Sequence, residues 1–105
     1  LLAVDGEQTA GCVAVRPLEG SICEMKRLFV REPYRGTGLG RQLAESIITE
    51  AEALGYGIMR LDTLESLEEA MGLYESLGFC RTNAYYHNPL QHVIYWEKTL
   101  GGDRI

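Results

Sequence analysis

The stretch from Arg35 to Arg41 reads Arg-Gly-Thr-Gly-Leu-Gly-Arg and places three alternate glycines between two arginines. Alternate glycines let successive backbone amides converge, and a helix that follows them adds about half a positive charge at its amino end. Such a loop is an anion site, and flanking guanidinium groups can add hydrogen bonds to phosphate oxygens. The alternative interpretation is a tight strand-to-helix turn with two solvated arginines.

Two common phosphate-binding motifs do not fit this loop. A Walker loop needs a lysine and then serine or threonine after its last glycine, whereas Gly40 is followed by Arg41 and Gln42. A dinucleotide fingerprint needs its third glycine three residues after the second, but Gly40 comes only two residues after Gly38. Binding of ATP or NAD at the glycines is therefore the weakest of the alternatives that stay open.

An amphipathic helix is predicted after the loop. Its apolar residues recur at helical spacing at Leu39, Leu43, Ile47, Ala51 and Leu54, with Ala44 and Ile48 widening the stripe. Before the loop, residues 22–31 are typical of a strand. Strict alternation places Ile22, Glu24, Lys26 and Leu28 on one face, and Cys23, Met25, Arg27 and Phe29 on the other. Neither face is purely apolar, so a bulge or a functional edge is possible.

The remaining segments add further strands and one more helix. Two strands around an Asp5–Gly6 turn are predicted before residue 16, and further strands at 57–63, 79–82 and 92–100. The segment Ser66–Glu69 fits a capping box that opens a second helix, which runs through Tyr74 to Leu77. The strand–helix–strand unit from 22 to 63 predicts two parallel strands in one sheet, with a right-handed connection. The glycine loop then lies at the carboxyl end of a strand.

Composition and charge narrow the classes of function. The chain has 105 residues, 46% of them hydrophobic, which predicts a single folded domain over 1–105. No apolar run approaches the roughly 20 residues of a membrane span and no secretory signal opens the chain, so a cytoplasmic location is the default expectation. The net charge of −5 argues against nucleic acid or an anionic membrane as partner. Half of the ten basic residues nevertheless surround the glycines, between positions 26 and 41.

Neither the cysteines nor the histidines indicate a metal site. Cys12, Cys23 and Cys80 form no even set and no CxxC spacing, so buried, reduced thiols are expected. His87 and His92 lack a second ligand pair at useful spacing. No metal is therefore predicted.

The segment from Val30 to Leu43, VREPYRGTGLGRQL, resembles the acyl-CoA binding motif of the GNAT superfamily of N-acetyltransferases. That motif has Gln or Arg, two further residues, Gly, one residue, and Gly or Ala, which here are Arg35, Gly38 and Gly40. A second segment, AMGLYESLGF from Ala70 to Phe79, is similar to the family's later helix and the strand after it. The resemblance implies an α/β (α+β) fold: a mixed, mostly antiparallel sheet with one parallel, splayed strand pair and flanking helices.

The resemblance also implies acetyl-CoA as the acyl donor, without a metal. Backbone amides of the glycine loop are expected to bind its pyrophosphate. The strands at 22–31 and 57–63 are expected to splay apart, so that free backbone groups of Leu28, Phe29 and Val30 pair with the pantetheine arm as a neighbouring strand would. The implied cofactor-binding residues are Leu28, Phe29, Val30, Arg35, Gly36, Thr37, Gly38, Leu39, Gly40 and Arg41.

Acetyl transfer from a thioester to an amine needs a neutral amine, a stabilised oxyanion and a proton for the departing thiolate. The resemblance implies Tyr74 as the general acid, although spacing alone favours packing on its helix. Glu24 stands where some family members carry an acid that takes the proton of the amine, and burial would have to raise its pKa. The alternatives for Glu24 are a solvated strand residue or a partner of Lys26 or Arg27. A backbone N–H near Phe29 would meet the oxyanion.

Family members usually have one more strand and two helices before the point where this sequence begins, and those helices normally form one wall of the acceptor pocket. A fragment, a chain whose first portion was not recorded and a truncated domain that completes itself by dimerising are the alternatives. The expected function is N-acetylation of a primary amine of a small molecule, amino acid or peptide, by direct attack in a ternary complex. The alternative is a catalytically silent acyl-CoA-binding or dimerisation module. A homodimer is favoured if an apolar sheet face is left uncovered. Tyr85, Tyr86 and Asn88 could line the acceptor pocket, with packing or a dimer contact as the alternative.

Overall fold

The computed structural model describes residues 1–5, 8–86 and 92–101. Within these ranges the strands are β1 (Leu2–Asp5), β2 (Gln8–Pro17), β3 (Ile22–Val30), β4 (Ile58–Leu64), β5 (Cys80–Thr82) and β6 (Val93–Thr99). The helices are α1 (Leu39–Ala53) and α2 (Glu68–Ser76), and a short 3-10 turn spans Glu32–Tyr34. The predicted elements are confirmed in kind and in order. The predicted turn residue Gly6, the histidine His87, the candidate pocket residue Asn88 and the residues after 101 lie outside the described ranges.

The described strands form one sheet in the order β1-β2-β3-β4-β6-β5. All neighbours are antiparallel except β3 and β4, which run parallel. The crossover between these two strands contains α1, because parallel neighbours cannot be joined by a tight hairpin. The predicted mixed, mostly antiparallel sheet with a single parallel pair is thereby confirmed.

A bulge divides β3 into two segments. Arg27 and Leu28 together lie opposite the single residue Val13 of β2. Arg27 has a φ of 58°, in the left-handed region that few non-glycine residues adopt. The extra residue reverses the alternation of side chains beyond it, so Leu28 packs against the core that contains Met25. The bulge is confirmed, but the predicted placement of Leu28 on the face of Glu24 is wrong.

The core lies between α1 and one face of the sheet. The amphipathic stripe is confirmed, since the buried residues of α1 are Leu43, Ala44, Ile47, Ile48 and Ala51. They belong to one cluster with the sheet residues Cys23, Met25, Met59, Leu61 and Trp96. Each large apolar side chain buried in this way contributes about 1.5–3 kcal/mol. Leu54, predicted as the last member of the stripe, is 64% exposed because the helix ends at Ala53.

Helix α2 adds Tyr74 to the same core. The Tyr74 ring centre lies 5.8 Å from that of Phe79 and 6.2 Å from that of Trp96. The predicted capping box is wrong, because Leu67 is the N-cap and no side chain caps the helix. The acidic residues of the box, Glu68 and Glu69, instead form the first turn, where negative charge suits the helix dipole.

The opposite face of the sheet carries charged and aromatic side chains. Arg16 and Glu24 are partners on β2 and β3, and Arg60 and Glu97 are partners on β4 and β6. Both pairs form ion pairs, with N–O distances of 2.7 Å and 3.1 Å. In the described part of the chain this face is therefore polar, not the apolar surface that would favour a homodimer, and dimerisation stays a prediction.

All three cysteines are free thiols. Cys23 is buried, which raises its pKa to about 11, and Cys12 is half-buried. Cys80 is exposed, so the prediction of a buried thiol is wrong there. The physical reason is that β5 is an edge strand and, among the described strands, pairs with β6 alone. Neither helix in the described ranges is long and apolar enough to cross a membrane.

Candidate functional site

Strands β3 and β4 separate beyond one short paired segment. They pair from Ile22 with Ile58 to Glu24 with Arg60. Both strands continue past the last pair, β3 to Val30 and β4 to Leu64, without bonding to each other. Strand β4 stays paired with β6 along its whole length, so the opening lies on its β3 side. The predicted splayed pair is confirmed.

The backbone groups of β3 that face this opening are those of Leu28 and Val30. The Phe29 carbonyl points toward β2, where it lies 2.6 Å from the position that a Cβ on Gly11 would take. Because N–H and C=O directions alternate along a strand, the neighbours of Phe29 point into the opening. The Val30 carbonyl accepts a hydrogen bond from Arg35 Nε at 2.9 Å. The expectation of free backbone groups is therefore wrong for Phe29 and for the Val30 carbonyl.

Two adjoining cavities occupy the opening. The first, which we call the strand cavity, has a volume of about 390 Å³ and is lined by residues of β3 and β4 and by Tyr74. The second, the loop cavity, has a volume of about 670 Å³ and lies between the glycine loop and the start of α2. Leu28, Leu67 and Ala70 line both cavities, which therefore form one continuous cleft. Such a cleft suits an extended ligand.

The glycine loop presents backbone amides to the loop cavity. Gly36 and Gly38 have φ values of 80° and 85°, which glycine adopts without strain. Gly38 is the N-cap of α1, and neither a side-chain cap nor a first-turn acid is present. Within the described residues, the amides of Leu39, Gly40 and Arg41 donate to no protein acceptor. A Cβ on Gly36 or Gly38 would meet nothing within 4 Å, so the loop is open to a ligand.

The two arginines that bracket the loop are tied into the fold. Arg35 donates to the Val30 carbonyl, and its guanidinium carbon lies 5.7 Å from the centre of the Phe29 ring. Arg41 donates to the hydroxyl of Ser76 and so connects α1 with the end of α2. A guanidinium has five N–H donors, so each arginine keeps capacity for a ligand. Arg35 lines the loop cavity, whereas Arg41 does not.

Most of the predicted cofactor-binding residues come together at this cleft. Thr37 and Arg41 are outside the lining, and the Thr37 hydroxyl donates to the Tyr34 carbonyl at 2.5 Å. The predicted residues that line the loop cavity are Leu28, Phe29, Val30, Arg35, Gly36, Gly38, Leu39 and Gly40.

The wall opposite the glycine loop is acidic. Glu68 and Glu69 line the loop cavity from the first turn of α2, and both are exposed. The amino end of α2 partly offsets their charge. An anion in this cavity is therefore attracted to the α1 wall and repelled by the α2 wall, which favours binding against the glycines.

Tyr74 lies at the wall of the strand cavity. Its ring is held by Phe79 and Trp96, and the residue is 7% exposed. Its hydroxyl makes no hydrogen bond within the described residues, and so its donor is available to a ligand. Burial raises the pKa of Tyr74, and the charge of Asp62 raises it further. The phenol therefore holds its proton at neutral pH.

Glu24 lies at the closed end of the opening, but its carboxylate is bound on the polar face of the sheet. It is 0% exposed and accepts hydrogen bonds from Arg16 at 2.7 Å and from the Tyr85 hydroxyl at 2.5 Å, with Lys26 Nζ at 3.3 Å. Burial by itself raises the pKa of Glu24, but the hydrogen bonds from Tyr85 and Arg16 and the charge of Lys26 outweigh it, so the pKa is lowered. A base near neutrality needs the opposite shift. The geometry favours the ion-pair alternative, and the role as base stays a prediction.

Asp62 is a residue of the cleft that no sequence motif revealed. It lines the strand cavity together with Tyr74, and its carboxylate accepts a hydrogen bond from the Tyr86 hydroxyl. One signal could have found it: an acid near the carboxyl end of a strand in a parallel pair stands where ligands of α/β sheets bind.

Tyr85 and Tyr86 form an aromatic cluster with Tyr95 on the polar face. The ring centres lie 5.2 to 5.6 Å apart, in edge-to-face contacts. Both candidate pocket residues thus lie beside acids of the sheet, Tyr85 at Glu24 and Tyr86 at Asp62. His92 contacts Glu65 at 3.3 Å instead. No three potential metal-ligating side chains come together among the residues described.

Known proteins share both the sequence and the fold. Residues 1–79 match the model of the Acetyltransferase (GNAT) family. A Schizosaccharomyces pombe protein named as an uncharacterized N-acetyltransferase is 53% identical over 97 residues, which cover 90% of this chain and 60% of that protein. A Klebsiella pneumoniae structure described as an acyl-CoA N-acyltransferase aligns with a TM-score of 0.81 at 28% identity, covering 88% of this chain and 64% of that chain.

A Bacillus subtilis acetyltransferase solved in complex with CoA also shares the fold. Its TM-score is 0.81 at 21% identity, over 94% of this chain and 74% of that chain. The present chain spans less than two thirds of the length of the Schizosaccharomyces and Klebsiella proteins.

Proposed function

Because the chain belongs to the GNAT acetyltransferase family, we propose that it transfers an acetyl group from acetyl-CoA to the primary amine of a small molecule, amino acid or peptide, by direct attack in a ternary complex. The observation that carries this proposal is the continuous cleft between β3 and β4. An anion site lies at one end of the cleft and a protonated phenol at the other. When bound, acetyl-CoA supplies an acetyl group that its thioester activates.

The loop cavity is the proposed site for the phosphate groups. The unpaired amides of Leu39 and Gly40 and the guanidinium of Arg35 are the donors at its wall. Hydrogen bonds to a charged oxygen are stronger than those between neutral groups. Along β3, backbone groups of Leu28 and the N–H of Val30 are left to pair with an extended amide-bearing arm.

Tyr74 is the proposed general acid for the leaving thiolate. A free phenol has a pKa of about 10 and a free thiol one of about 8.5, so this proton transfer is uphill in water. Burial disfavours a thiolate as well as a phenolate, so it raises the pKa of a thiol in this cavity in the same direction as that of Tyr74. The unpaired hydroxyl of Tyr74 can therefore hold its proton until a thiolate forms.

Leu28 supplies the proposed oxyanion donor. The bulge at Arg27 turns the backbone of β3, and the N–H of Leu28 is directed into the opening, whereas the backbone of Phe29 is directed to β2. A fixed N–H in a cavity stabilises negative charge on oxygen more than water does. This proposal specifies the expected donor near Phe29 as the N–H of the preceding residue.

Titration calorimetry with acetyl-CoA tests the proposal, with ATP and NAD as controls, followed by mass spectrometry of an amine panel for acetylated product. We expect acetyl-CoA to bind, ATP and NAD to be silent, and Arg35→Ala to weaken binding by about tenfold. Binding without turnover across the panel would support the catalytically silent module instead. Absence of acetyl-CoA binding in folded protein would contradict both.

A further inference from the structure

We propose that Asp62, oriented by the hydroxyl of Tyr86, binds a cationic amine acceptor in the strand cavity, with the Asp62 carboxylate as the counter-ion of its ammonium group. This inference rests on the proposed function and names the charge class of the acceptor that the same cleft takes.

The first observation is the distribution of ion pairs on the polar face. Glu24 is paired with Arg16 and Lys26, and Glu97 is paired with Arg60. Asp62 is half-buried on the same face and forms no ion pair with any described residue. A partly desolvated carboxylate without a counter-ion is costly, and a ligand cation offsets that cost.

The second observation is that Asp62 opens into a cavity. It is the one acid among the described residues that line the strand cavity, whose other walls are mostly apolar. One carboxylate oxygen accepts the Tyr86 hydroxyl, which orients the group, and the other accepts no hydrogen bond from the described residues. The free oxygen is therefore available to an ammonium N–H.

Of the two cations that line the strand cavity with Asp62, Arg27 is exposed and forms no ion pair with it, and Lys26 is bound by Glu24. Lys26 also lines the strand cavity, but its Nζ lies 3.3 Å from the Glu24 carboxylate and 5.9 Å from the centre of the Tyr86 ring. Glu24 thus binds the lysine that would otherwise neutralise Asp62. This arrangement gives the buried Glu24 a function as a positioning residue, separate from its predicted role as base.

The third observation connects the ammonium site to the chemistry. Asp62 and Tyr74 line the same cavity, and the charge of Asp62 reaches the phenol of Tyr74. An amine bound at Asp62 therefore lies at the end of the cleft where the proposed acid acts. The bound ammonium must lose one proton to solvent before its nitrogen attacks the acetyl carbon. Weakly basic amines, which are neutral at pH 7, lack the charge that this carboxylate recognises.

Calorimetry on the CoA-loaded chain tests the site with two probes of similar shape, benzylamine and benzyl alcohol. The wild-type protein is expected to bind benzylamine with a Kd about tenfold or more below that of benzyl alcohol, because only the ammonium group donates a charged hydrogen bond to Asp62. Asp62→Asn should remove the preference, and Tyr86→Phe should reduce it. Asp62→Glu should retain it, which separates loss of charge from loss of fold. Glu50→Gln on the exposed side of α1 removes the same charge elsewhere and should change nothing.

Equal binding of the two probes to the wild type would overturn the inference, as would an unchanged preference in Asp62→Asn. The acetyl-CoA affinity of Asp62→Asn should stay within about twofold of the wild type, because the loop cavity is intact. A different result would show that the proposed function is wrong, namely that the wild type does not bind acetyl-CoA. The two probes compared on the free chain would still decide the role of Asp62 in that case.

Discussion

Glu24 and Arg60 form the last paired position between β3 and β4, and each is held by an ion pair to a further strand. Glu24 is bonded to Arg16 of β2, and Arg60 is bonded to Glu97 of β6. The closed end of the cleft is therefore fixed across four neighbouring strands. Beyond it the strands diverge, so the position of this pair determines where the cavity begins.

Glu24→Gln is expected to lower the free energy of unfolding at pH 7 by about 1.5–3 kcal/mol, because Arg16, Lys26 and Tyr85 lose a charged hydrogen-bond acceptor. The folded pKa of Glu24 is lowered, so its contribution is present above the unfolded pKa of about 4.3 and is lost as the pH falls toward the folded pKa. Urea unfolding at pH 7 and pH 3 checks this. The wild type should lose more stability over that interval than the variant.

The control for this prediction is Glu97→Gln. The side chains of Arg60 and Glu97 are 24% and 31% exposed, so their pair is screened by solvent and its loss should cost less than about 1 kcal/mol. If both variants lost the same free energy of unfolding, burial of Glu24 would not strengthen its ion pairs, which would contradict the prediction.

Tyr74→Phe is expected to reduce kcat by about 100-fold or more while leaving the Kd for acetyl-CoA unchanged. Stability should change little, because the ring keeps its contacts with Phe79 and Trp96 and the lost hydroxyl had no partner among the described residues. Steady-state kinetics and calorimetry measure the two quantities. Tyr56→Phe, outside both cavities, is the matched control. A wild-type kcat in Tyr74→Phe would remove this residue from the mechanism.

Gly38→Ala is expected to weaken acetyl-CoA binding by at least about tenfold, because a φ of 85° is strained for alanine and the loop would shift. Gly20→Ala is the matched control, since Gly20 also has a positive φ, of 52°, and free space around it, but lies in the turn before β3. Each variant should lose roughly 1–2 kcal/mol of stability. Calorimetry should show a change of affinity in Gly38→Ala alone.

The thiols are expected to react at very different rates. Cys80 is exposed, whereas Cys23 is buried with a pKa raised to about 11, so little thiolate is present at pH 8. Iodoacetamide labelling followed by peptide mass spectrometry should modify Cys80 first and Cys23 last in the native chain. Both should be modified at similar rates in urea. Early labelling of Cys23 in native protein would contradict its placement in the core.

Elements with strong periodicity could be predicted from the sequence. The stripe of α1 and the glycine loop each depend on local residue types, and both lie where they were expected. The start of α2 could not be predicted in the same way. Serine is a residue type that favours the N-cap position, but the N-cap of α2 is not Ser66. It is the next residue, Leu67. Local propensity is a weak constraint where tertiary contacts determine the end of a helix.

The part of the site that depends on the local backbone conformation could be predicted from the sequence. The part that depends on contacts between side chains of different strands could not. Most of the predicted cofactor-binding residues line the loop cavity because the loop conformation follows from its glycines. The state of Glu24 depends on Arg16, Lys26 and Tyr85, and Tyr85 is distant in sequence. The place of Asp62 near the end of a strand could be predicted, but not that it accepts the Tyr86 hydroxyl and lacks an ion pair with any described residue. Such information appears only once the strands are side by side.

The bulge at Arg27 separates two sets of constraints that one strand would otherwise share. Before the bulge, residues 22–24 of β3 pair with β4, and residues 23–26 supply core side chains and ion pairs. After it, residues 28–30 line the loop cavity. Because the extra residue at the bulge accommodates a change of register, substitutions in residues 28–30 need not disturb the pairing of residues 22–24. The residues that contact a ligand can therefore change during evolution while the pairing of β3 with β4 is kept.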